Sequence, residues 1–370
     1  MSSLIVQVVR IPDLERHPNA DTLLIARVKG WQCLVKEGQF QPGDLAVYVP
    51  VDSVLPPELI EKHGLTYLSK GERVKAVKLR QVLSEGLLLS LPEGVNWREG
   101  QEVGNLLGIT KWEPPVRQQQ ANFGVSKSHL RPNPYFRRYC DPENIKNFPG
   151  VFAEGEQVII TEKIHGTNFR CGWVPRARRA WWERFLPARV KAWLGIDEWE
   201  FCVGSRNVHL VGANCKTVHQ SMDGNPYWDI ANRGKFRERI PKGYIIFGEI
   251  FGPGIQDLTY GLPHTTAMFF DAMKNGVYVD QGKVRELFGA WNGLFSVPIL
   301  YRGPYRNGIE AELYSQPSRA AYDLAGVKDH LMEGVVIVSA QEQIDNRVGR
   351  KILKAINPDY LLRKSGTEFH

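Results

Sequence analysis

The most constraining feature of this sequence is a short β-branched run followed directly by a polar stretch with one lysine and one glycine. Residues 158–160 (Val-Ile-Ile) predict a buried strand that ends at Thr161. Lys163 follows at the mouth of that strand, where desolvation and nearby positive charge would favour a neutral amine able to attack an electrophile. Gly166 lets the backbone approach a ligand where a β-carbon would collide. The stretch 157–172 therefore predicts a nucleophilic lysine at a ligand-binding strand end.

The string Lys163-Ile164-His165-Gly166 resembles motif I, K-x-x-G, of the covalent nucleotidyltransferases, which comprise ligases and mRNA capping enzymes. The longer stretch Glu162–Phe169 is similar to the version found in the RNA ligase 2 branch. DNA ligases and capping enzymes usually carry Asp where this chain has His165. This difference shifts the resemblance from DNA ligases toward RNA ligases.

Companion motifs follow in the order of the family, and the resemblance covers roughly residues 136–362. Arg206, after the strand 201–203, resembles the motif Ia arginine, a fork of donors for phosphate. Glu249 ends an apolar strand and resembles the motif III acid that contacts ribose hydroxyls. Phe270, beside Asp271 in the strand 267–271, resembles the motif IIIa aromatic that stacks on adenine. Each piece alone has a plainer explanation as a solvated or core residue, but the shared order argues against chance.

Motifs IV and V complete the set. Glu333 matches the motif IV acid that serves the divalent metal, and the segment 350–356 supplies the motif V lysines. The family generally spaces these lysines K-x-K, which places both on one face of a strand. Lys351 and Lys354 are three apart, so both face inward only if a bulge intervenes. Lys354 is the first choice, and either Arg350 on its face or Lys351 is the second.

The resemblance implies an ATP-dependent RNA ligase that joins 3′-hydroxyl and 5′-phosphate ends, as in a nicked duplex containing RNA, through a lysyl-AMP intermediate. Asn168 is expected near the adenylate or the nick 5′-phosphate. Glu162 and His165 are expected to tune later steps, with His165 contacting pyrophosphate or the adenylylated end. The implied cofactors are ATP and Mg²⁺ or Mn²⁺, with Glu333 and Glu249 as metal ligands. The implied catalytic residues are Lys163, Lys354 and Lys351, and the implied ATP contacts are Glu162, Ile164, His165, Asn168, Arg206, Glu249, Phe270, Glu333 and Lys354.

The chain is long enough, at 370 residues, for two domains. Short apolar or alternating runs separated by turn residues predict strands at 4–9, 23–28, 31–36, 45–49 and 80–91. Together they predict a small β-barrel of the oligonucleotide-binding type over residues 1–110. The barrel could bind nucleic acid or merely support the next domain. We place the boundary near residue 130, giving an N-terminal module at 1–130 and an α+β nucleotidyltransferase domain of antiparallel sheets at 131–370. A module in front of motif I resembles the arrangement in the RNA ligase 5 group.

A segment rich in tryptophan and arginine follows motif I, at residues 176–200. One face of a predicted helix carries Trp182, Leu186, Val190 and Trp193, although Pro187 would kink this helix. Basic side chains interleaved with tryptophans could grip nucleic acid. The favoured interpretation is a helical insertion that packs its tryptophans on the domain.

Composition and charge limit which classes of protein remain possible. No apolar run approaches the length of a membrane span and no signal-peptide pattern is present, so we expect a cytoplasmic protein, acting as a monomer, with no membrane partner. The net charge of +7 suits a polyanionic partner but does not demand one. Five scattered cysteines fit free thiols better than a zinc site. Three alternatives remain: a DNA ligase, a capping enzyme, and a nucleic-acid-binding protein with an inactive transferase domain.

Overall fold

The computed structural model describes residues 3–68, 73–113, 133–177, 181–206, 209–210 and 225–363. Among these, contacts divide the chain into two compact units. The first is drawn from residues 3–113, 141–153 and 353–363, and the second from residues 133–140 and 154–352. The predicted boundary near residue 130 lies outside the described residues. Two short segments that the prediction assigned to the second domain, 141–153 and 353–363, belong to the first unit.

The first unit consists mainly of short antiparallel strands. Its principal sheets have the orders β1-β5-β9 and β2-β3-β4, with the small pairs β6-β10 and β7-β8 beside them. The strands are β1 (Gln7–Arg10), β2 (Leu14–Arg16), β3 (Leu23–Val28), β4 (Trp31–Lys36), β5 (Leu45–Val49), β6 (Ser53–Val54), β7 (Val77–Leu79), β8 (Val82–Ser84), β9 (Leu87–Ser90), β10 (Thr110–Lys111) and β11 (Glu143–Asn144). The unit also contains the helix α1 (Pro57–Lys62), a 3₁₀ turn at Ile145–Asn147 and the last two described elements of the chain, which are given below.

The apolar alternation of the sequence determines these strands closely. β3, β4 and β5 begin and end at the predicted residues. The predicted strand 80–91 is instead divided into β8 and β9. Gly86 makes the division possible, because its φ is +119° and a β-carbon there would lie 2.5 Å from the carbonyl oxygen of Val49.

The second unit contains two larger sheets. One has the order β15-β14-β13-β16-β17-β18, and the other has β12 between β19 and β20. The strands are β12 (Gln157–Lys163), β13 (Thr167–Pro175), β14 (Trp199–Gly204), β15 (His209–Leu210), β16 (Tyr244–Phe251), β17 (Thr266–Lys274), β18 (Val277–Tyr278), β19 (Ile299–Pro304), β20 (Gly334–Ser339), β21 (Ile344–Asp345) and β22 (Gly349–Arg350). The helices are α2 (Ala188–Trp193), α3 (Pro226–Arg233), α4 (Phe236–Arg239), α5 (Gln281–Ala290), α6 (Ile309–Tyr314) and α7 (Arg319–Ala325).

Two elements close the described chain: β23 (Ile352–Ile356) and α8 (Pro358–Leu361). In the first unit β23 pairs in parallel with β11, with Lys354 opposite Asn144. No helix among the residues described above is both long and apolar enough to traverse a bilayer.

The six-stranded sheet buries both of its faces, which is why its strands contain nearly continuous apolar runs. One face carries Phe169 and packs against α3, α4 and α5. The other carries Val174 and Phe247 and packs against Phe136. Alternation along β13 and β16 then decides which polar side chains join each face.

The tryptophan-rich segment forms a 3₁₀ helix at Trp181–Phe185 followed by α2. The predicted break at Pro187 is confirmed, but the prediction that the tryptophans pack on the domain is wrong. Trp181 and Trp193 are 74% and 83% exposed. Because Pro187 interrupts the helical period, the single apolar face on which that prediction depended does not form.

Candidate active site

Strand pairing brings the predicted nucleophile to the motif IV carboxylate. β12 continues past Thr161 to Lys163, because Lys163 pairs with Gly334 at the start of β20. Glu333 directly precedes that strand, and its Oε1 lies 2.5 Å from Lys163 Nζ. Lys163 is therefore one half of an ion pair, in place of the cationic surroundings that the sequence suggested.

Gly166 is required by the protein's own backbone. A β-carbon at this position would lie 2.2 Å from the carbonyl oxygen of Ile250 and 2.9 Å from Cγ of Glu249. The absence of a side chain thus lets the motif I turn lie directly on β16. The sequence had attributed this glycine to close approach of a ligand, whereas the contact shown is with Ile250 and Glu249.

Glu249 sits on β16 directly opposite Asn168 of β13. Directly opposed residues share a face of the sheet, so their side chains project to the same side. Burial raises the pKa of the Glu249 carboxyl to about 8. Lys163 and Arg206 oppose this shift, and the Glu333 carboxylate adds to it. At neutral pH Glu249 is therefore mostly protonated, able both to donate and to accept a hydrogen bond.

Two buried oxygen atoms in this region have no hydrogen-bond partner among the described residues: Oδ1 of Asn168 and Oε2 of Glu333. Buried acceptors without partners are rare in folded proteins and usually indicate a missing ligand, ion or water. Both atoms are acceptors, so a donor or a cation would satisfy them. This is the direct structural indication that a ligand belongs beside Lys163.

Metal ligation can be tested against the same residues. Within the described ranges no group of three or more His, Cys, Asp or Glu side chains could hold a metal ion. Mg²⁺ commonly takes only one or two protein carboxylates and completes its shell with phosphate oxygens and water. Glu333, whose Oε2 has no hydrogen-bond partner among the described residues, fits that pattern.

Hydrogen bonds fix both the side chain and the backbone of His165. Its Nε2 lies 2.9 Å from Oδ1 of Asp257, and its backbone N–H donates to the hydroxyl of Tyr260 at 2.7 Å. Tyr260 is fully buried and stacks on His330, with ring centroids 4.5 Å apart. The histidine that distinguishes this motif I is thus fixed by the loop between β16 and β17.

A β-bulge places Phe270 on the site face. In the pairing of β16 with β17, Phe247 lies opposite Asp271 and Gly248 opposite Phe269, which leaves Phe270 as the extra residue. The ring of Phe270 is half-buried and lies 5.0 Å from that of Tyr139. The bulge turns both Phe270 and Asp271 toward the same side, which simple alternation would forbid.

Asp271 binds Arg350. The guanidinium of Arg350 lies 2.5 Å from Oδ2 of Asp271 and 2.7 Å from Oε1 of Glu342. Tyr139 donates a further hydrogen bond to Asp271 at 2.9 Å. Burial raises the pKa of the Asp271 carboxyl, although Arg350 opposes the shift. Arg350, one of the two choices for the second motif V residue, is engaged in this buried network.

Two motif I neighbours are engaged within the fold. Glu162 is buried, accepting from the Ser318 hydroxyl and from the backbone N–H of Ala320 at 2.8 Å, so it caps the start of α7. Burial raises the pKa of this carboxyl, and those hydrogen bonds oppose the shift. The Ile164 side chain packs with Phe251 in an apolar cluster.

The two motif V lysines lie in different surroundings. Lys351 Nζ is 2.7 Å from Oε2 of Glu156, just before the start of β12, whereas Lys163 ends that strand. The structure therefore does not bring Lys351 to Lys163. Lys354 lies half-buried in β23, in the first unit.

Asp257, Tyr260 and Tyr139 were not identified from the sequence. Asp257 and Tyr260 occupy a loop rich in glycine and proline after the motif III strand, where functional residues often lie. Their position in that loop was the sequence feature that could have identified them. For Tyr139, in the segment before motif I, no sequence feature indicated a role in the site.

Comparisons with known proteins agree with this geometry. The RNA ligase family model matches residues 156–356, and an OB-fold domain model matches residues 5–91. Comparison with curated protein sequences gives no match. The predicted α+β class with antiparallel sheets and an N-terminal OB-fold domain is thereby confirmed.

Solved structures of a Naegleria gruberi RNA ligase resemble the chain along nearly its whole length. A lysine-to-methionine variant with AMP and Mn has a TM-score of 0.72 and 22% identity, covering 96% of this chain and 98% of the other. A lysine-to-alanine variant with ATP and Mn has a TM-score of 0.71 and 23% identity, with the same two coverages. The protein with PPi has a TM-score of 0.70 and 22% identity, covering 97% and 98%. At this identity the likeness shows a shared fold.

Proposed function

The chain belongs to the RNA ligase family, and from that premise we propose that it uses ATP to join 3′-hydroxyl and 5′-phosphate ends of RNA through a lysyl-AMP intermediate. The observation that carries this proposal is the arrangement around Lys163. One amine, at the end of a buried strand, is 2.5 Å from Glu333 and electrostatically coupled to Glu249. The unpartnered oxygens of Asn168 and Glu333 indicate a ligand there.

The proposed reaction has three steps. Lys163 Nζ loses its proton to solvent and attacks the α-phosphorus of ATP, and the bond to the β-phosphate oxygen breaks to release pyrophosphate. An oxygen of the RNA 5′-phosphate next attacks the lysine-bound phosphorus, and the phosphorus–nitrogen bond breaks to free Lys163. The 3′-hydroxyl then attacks the 5′-phosphorus, and AMP leaves as the phosphodiester forms. Positioning and charge neutralisation dominate such transfers.

The side chains divide this work by their chemistry. In the proposal, Glu249 contacts the ribose hydroxyls, Phe270 stacks on adenine and Arg206 orients a phosphate. Asn168, whose Oδ1 lacks a partner, hydrogen-bonds the adenylate or the 5′-phosphate. His165 contacts the pyrophosphate or the adenylylated end.

Two further roles concern charge. Glu333 holds a divalent cation, Mg²⁺ or Mn²⁺, which when bound neutralises phosphate charge. We assign the neutralising role of motif V to Lys354. A cation held by Glu333 would compete with Lys163 for that carboxylate, so metal binding would favour release of the amine from its ion pair.

We also propose that the enzyme acts as a monomer in the cytoplasm on nicked duplexes that contain RNA. Cys33, Cys171 and Cys202 are buried free thiols, which is typical of proteins from reducing compartments. Analytical ultracentrifugation of the full chain at micromolar concentration tests the monomer, and a dimer at that concentration would refute it.

Labelled ATP provides the decisive experiment. The full chain is incubated with α-labelled ATP and Mg²⁺ or Mn²⁺, denatured, and the labelled peptide is sequenced. We expect AMP on Lys163. Label on another residue would refute Lys163 as the nucleophile. No label at all would refute the proposed reaction and leave a binding protein with an inactive transferase domain. Preferential labelling from GTP would instead indicate a capping enzyme. Nicked duplexes with ribonucleotides only on the 3′-hydroxyl side, only on the 5′-phosphate side, or on neither then separate RNA from DNA ligase activity.

A further inference from the structure

The segment between β13 and β14 displays aromatic side chains to solvent. In the tryptophan insertion, defined as residues 181–198, Trp181 and Trp193 are 74% and 83% exposed, and Phe185 is 66% exposed. Isolated apolar residues are ordinary on protein surfaces, but several large aromatics in one short segment usually mark an interaction site.

The insertion is anchored to the rest of the second unit by an ion pair and at the point where its chain leaves and rejoins the sheet. Lys242, on the loop before β16, pairs with Asp197 at 2.9 Å, and within the insertion Lys191 pairs with Glu198 at 3.1 Å. Glu183 forms a further ion pair with Arg176, and Pro175 pairs with Trp199 where the insertion leaves and rejoins the sheet. These contacts hold the aromatic rings outward in a folded element, which lowers the entropy cost of binding a partner.

Charge favours a polyanion as that partner. Residues 176–198, which are the insertion and the five residues before it, contain six basic residues, Arg176, Arg178, Arg179, Arg184, Arg189 and Lys191, against three acids, Glu183, Asp197 and Glu198. Arg189, within α2, is exposed. Alternating arginines and aromatic rings is the chemistry that grips single-stranded nucleic acid, because bases stack on rings and the backbone follows the cations. A membrane-surface helix would need a longer continuous amphipathic stretch than α2 provides.

The sheet connects this surface to the active site. β13 begins at Thr167, beside Asn168, and ends at Pro175, where the insertion departs; β14 returns from the insertion and ends just before Arg206. The two ends of β13 are separated by about 26 Å, at about 3.3 Å per residue. The insertion therefore leaves the sheet about 26 Å from the end of β13 that carries Asn168.

From these observations we infer that the tryptophan insertion is a second RNA-binding surface, which stacks unpaired bases of the substrate roughly 26 Å from the ends being joined. The inference rests on the proposed function for the identity of the polymer. Paired bases in a duplex present no free face to a side chain, so the surface selects substrates with a single-stranded extension.

The test uses the full chain and two fluorescein-labelled RNAs, a nicked duplex with fully paired arms and the same duplex with a single-stranded extension. For the double variant Trp181→Ala, Trp193→Ala, we expect a Kd increase of about tenfold or more on the extended RNA. On the fully paired duplex we expect a change of less than about twofold. Phe295→Ala is the matched control, because Phe295 is another aromatic side chain, 65% exposed, in the same unit and outside the insertion. It should alter neither Kd.

A charge reversal provides an independent arm. Arg189→Glu should weaken binding of the extended RNA and reduce the slope of log Kd against log salt by about one. Arg285→Glu, which changes an exposed arginine on α5, is the control and should leave the slope unchanged.

Three outcomes would overturn the inference. The first is an unchanged Kd of the double variant for the extended RNA. The second is binding of the wild-type chain to phosphatidylglycerol vesicles that the double variant loses while RNA affinity stays constant. The third is a dimer that the double variant dissolves with RNA affinity unchanged.

Adenylylation of the same preparations separates this inference from the proposed function. The double variant should form lysyl-AMP at the wild-type rate. The wild-type chain could fail to become adenylylated while the double variant binds the extended RNA more weakly than the wild type. In that case the proposed function is refuted and the inferred RNA-binding surface is supported.

Discussion

The Nε2 atom of His165 lies 2.9 Å from Oδ1 of Asp257, so a carboxylate from the loop between β16 and β17 orients the imidazole two residues after Lys163. The other ring nitrogen, Nδ1, faces Oε2 of Glu333 at 3.9 Å. A histidine between two carboxylates therefore occupies the position where DNA ligases usually place an aspartate. The carboxylate of Asp257 lies behind this histidine, in contact with its Nε2.

Asp257 should consequently act as a positioning residue for the chemistry at Lys163. Asp257→Asn keeps the size of the side chain but removes its charge, leaving the imidazole free to turn. We expect lysyl-adenylate formation to slow by on the order of 10- to 100-fold, as with other carboxylates that orient histidines. Single-turnover labelling with α-labelled ATP measures the rate. Asp323→Asn, at an exposed ion pair on α7, is the control. A wild-type rate in Asp257→Asn would show that the contact has no catalytic role.

Gly166 should tolerate no β-carbon. In Gly166→Ala the new methyl group would lie 2.2 Å from the Ile250 carbonyl oxygen, so β16 and Glu249 would have to move. We expect a loss of about 1–3 kcal/mol in the free energy of unfolding, together with slower adenylylation. Gly289→Ala is the matched control. This glycine lies in α5, and apart from its chain neighbours and the backbone of its own helix no described atom comes within 4 Å of the place that a β-carbon would take. Alanine there should stabilise by about 0.5–1 kcal/mol. Urea denaturation separates the two, and equal stability of both variants would refute the packing argument.

Features that depend on local sequence pattern could be predicted from the sequence, whereas features that depend on packing between distant residues could not. Short apolar or alternating runs predicted β3, β4 and β5 to the residue, because burial of alternate side chains is a local property. Glu333 was assigned by its motif, and the register of β12 with β20 explains why it reaches Lys163.

The features that escaped prediction depend on contacts between distant residues. The bulge that places Phe270 on the same side as Asp271 arises from the pairing of β16 with β17. No residue type within β17 predicts this bulge. Asp257 meets His165 across 92 residues of sequence. The exposure of Trp193 was mispredicted because a helical period describes one face of a helix and cannot say whether a partner covers it.

Glu249 should make stability depend on pH. Its pKa in the folded protein is about 8, above the ordinary value of 4.5, so between these values the folded state holds a proton that the unfolded state has released. Stability is therefore lost as pH rises from about 4.5 to about 8 and is constant above that. Glu249→Gln removes this ionisation and should be more stable than the wild type at pH 8 by a few kcal/mol, with little difference at pH 5. Glu286→Gln, at an exposed position, is the control. Thermal unfolding at the two pH values measures the effect, and parallel curves for Glu249→Gln and wild type would contradict it.

The ammonium group of Lys351, one of the two candidate lysines of motif V, lies at the far end of β12 from Lys163. Lys351 pairs with Glu156, which also accepts a hydrogen bond from Ser339 at 2.9 Å. Glu156 directly precedes β12 and Lys163 ends it, so this ammonium group lies about 23 Å from Lys163 at about 3.3 Å per residue.

That distance exceeds the reach of a lysine side chain, so the two motif V lysines should differ sharply in their effect. Lys354→Ala should lower the adenylylation rate by on the order of 100-fold or more, because a positive charge that the proposal places at the α-phosphate is lost. Lys351→Ala should lower it by less than about fivefold, since its ammonium group serves the ion pair with Glu156. Both variants are compared by single-turnover labelling at a temperature where circular dichroism shows each to be folded. A larger loss in Lys351→Ala than in Lys354→Ala would reverse the assignment.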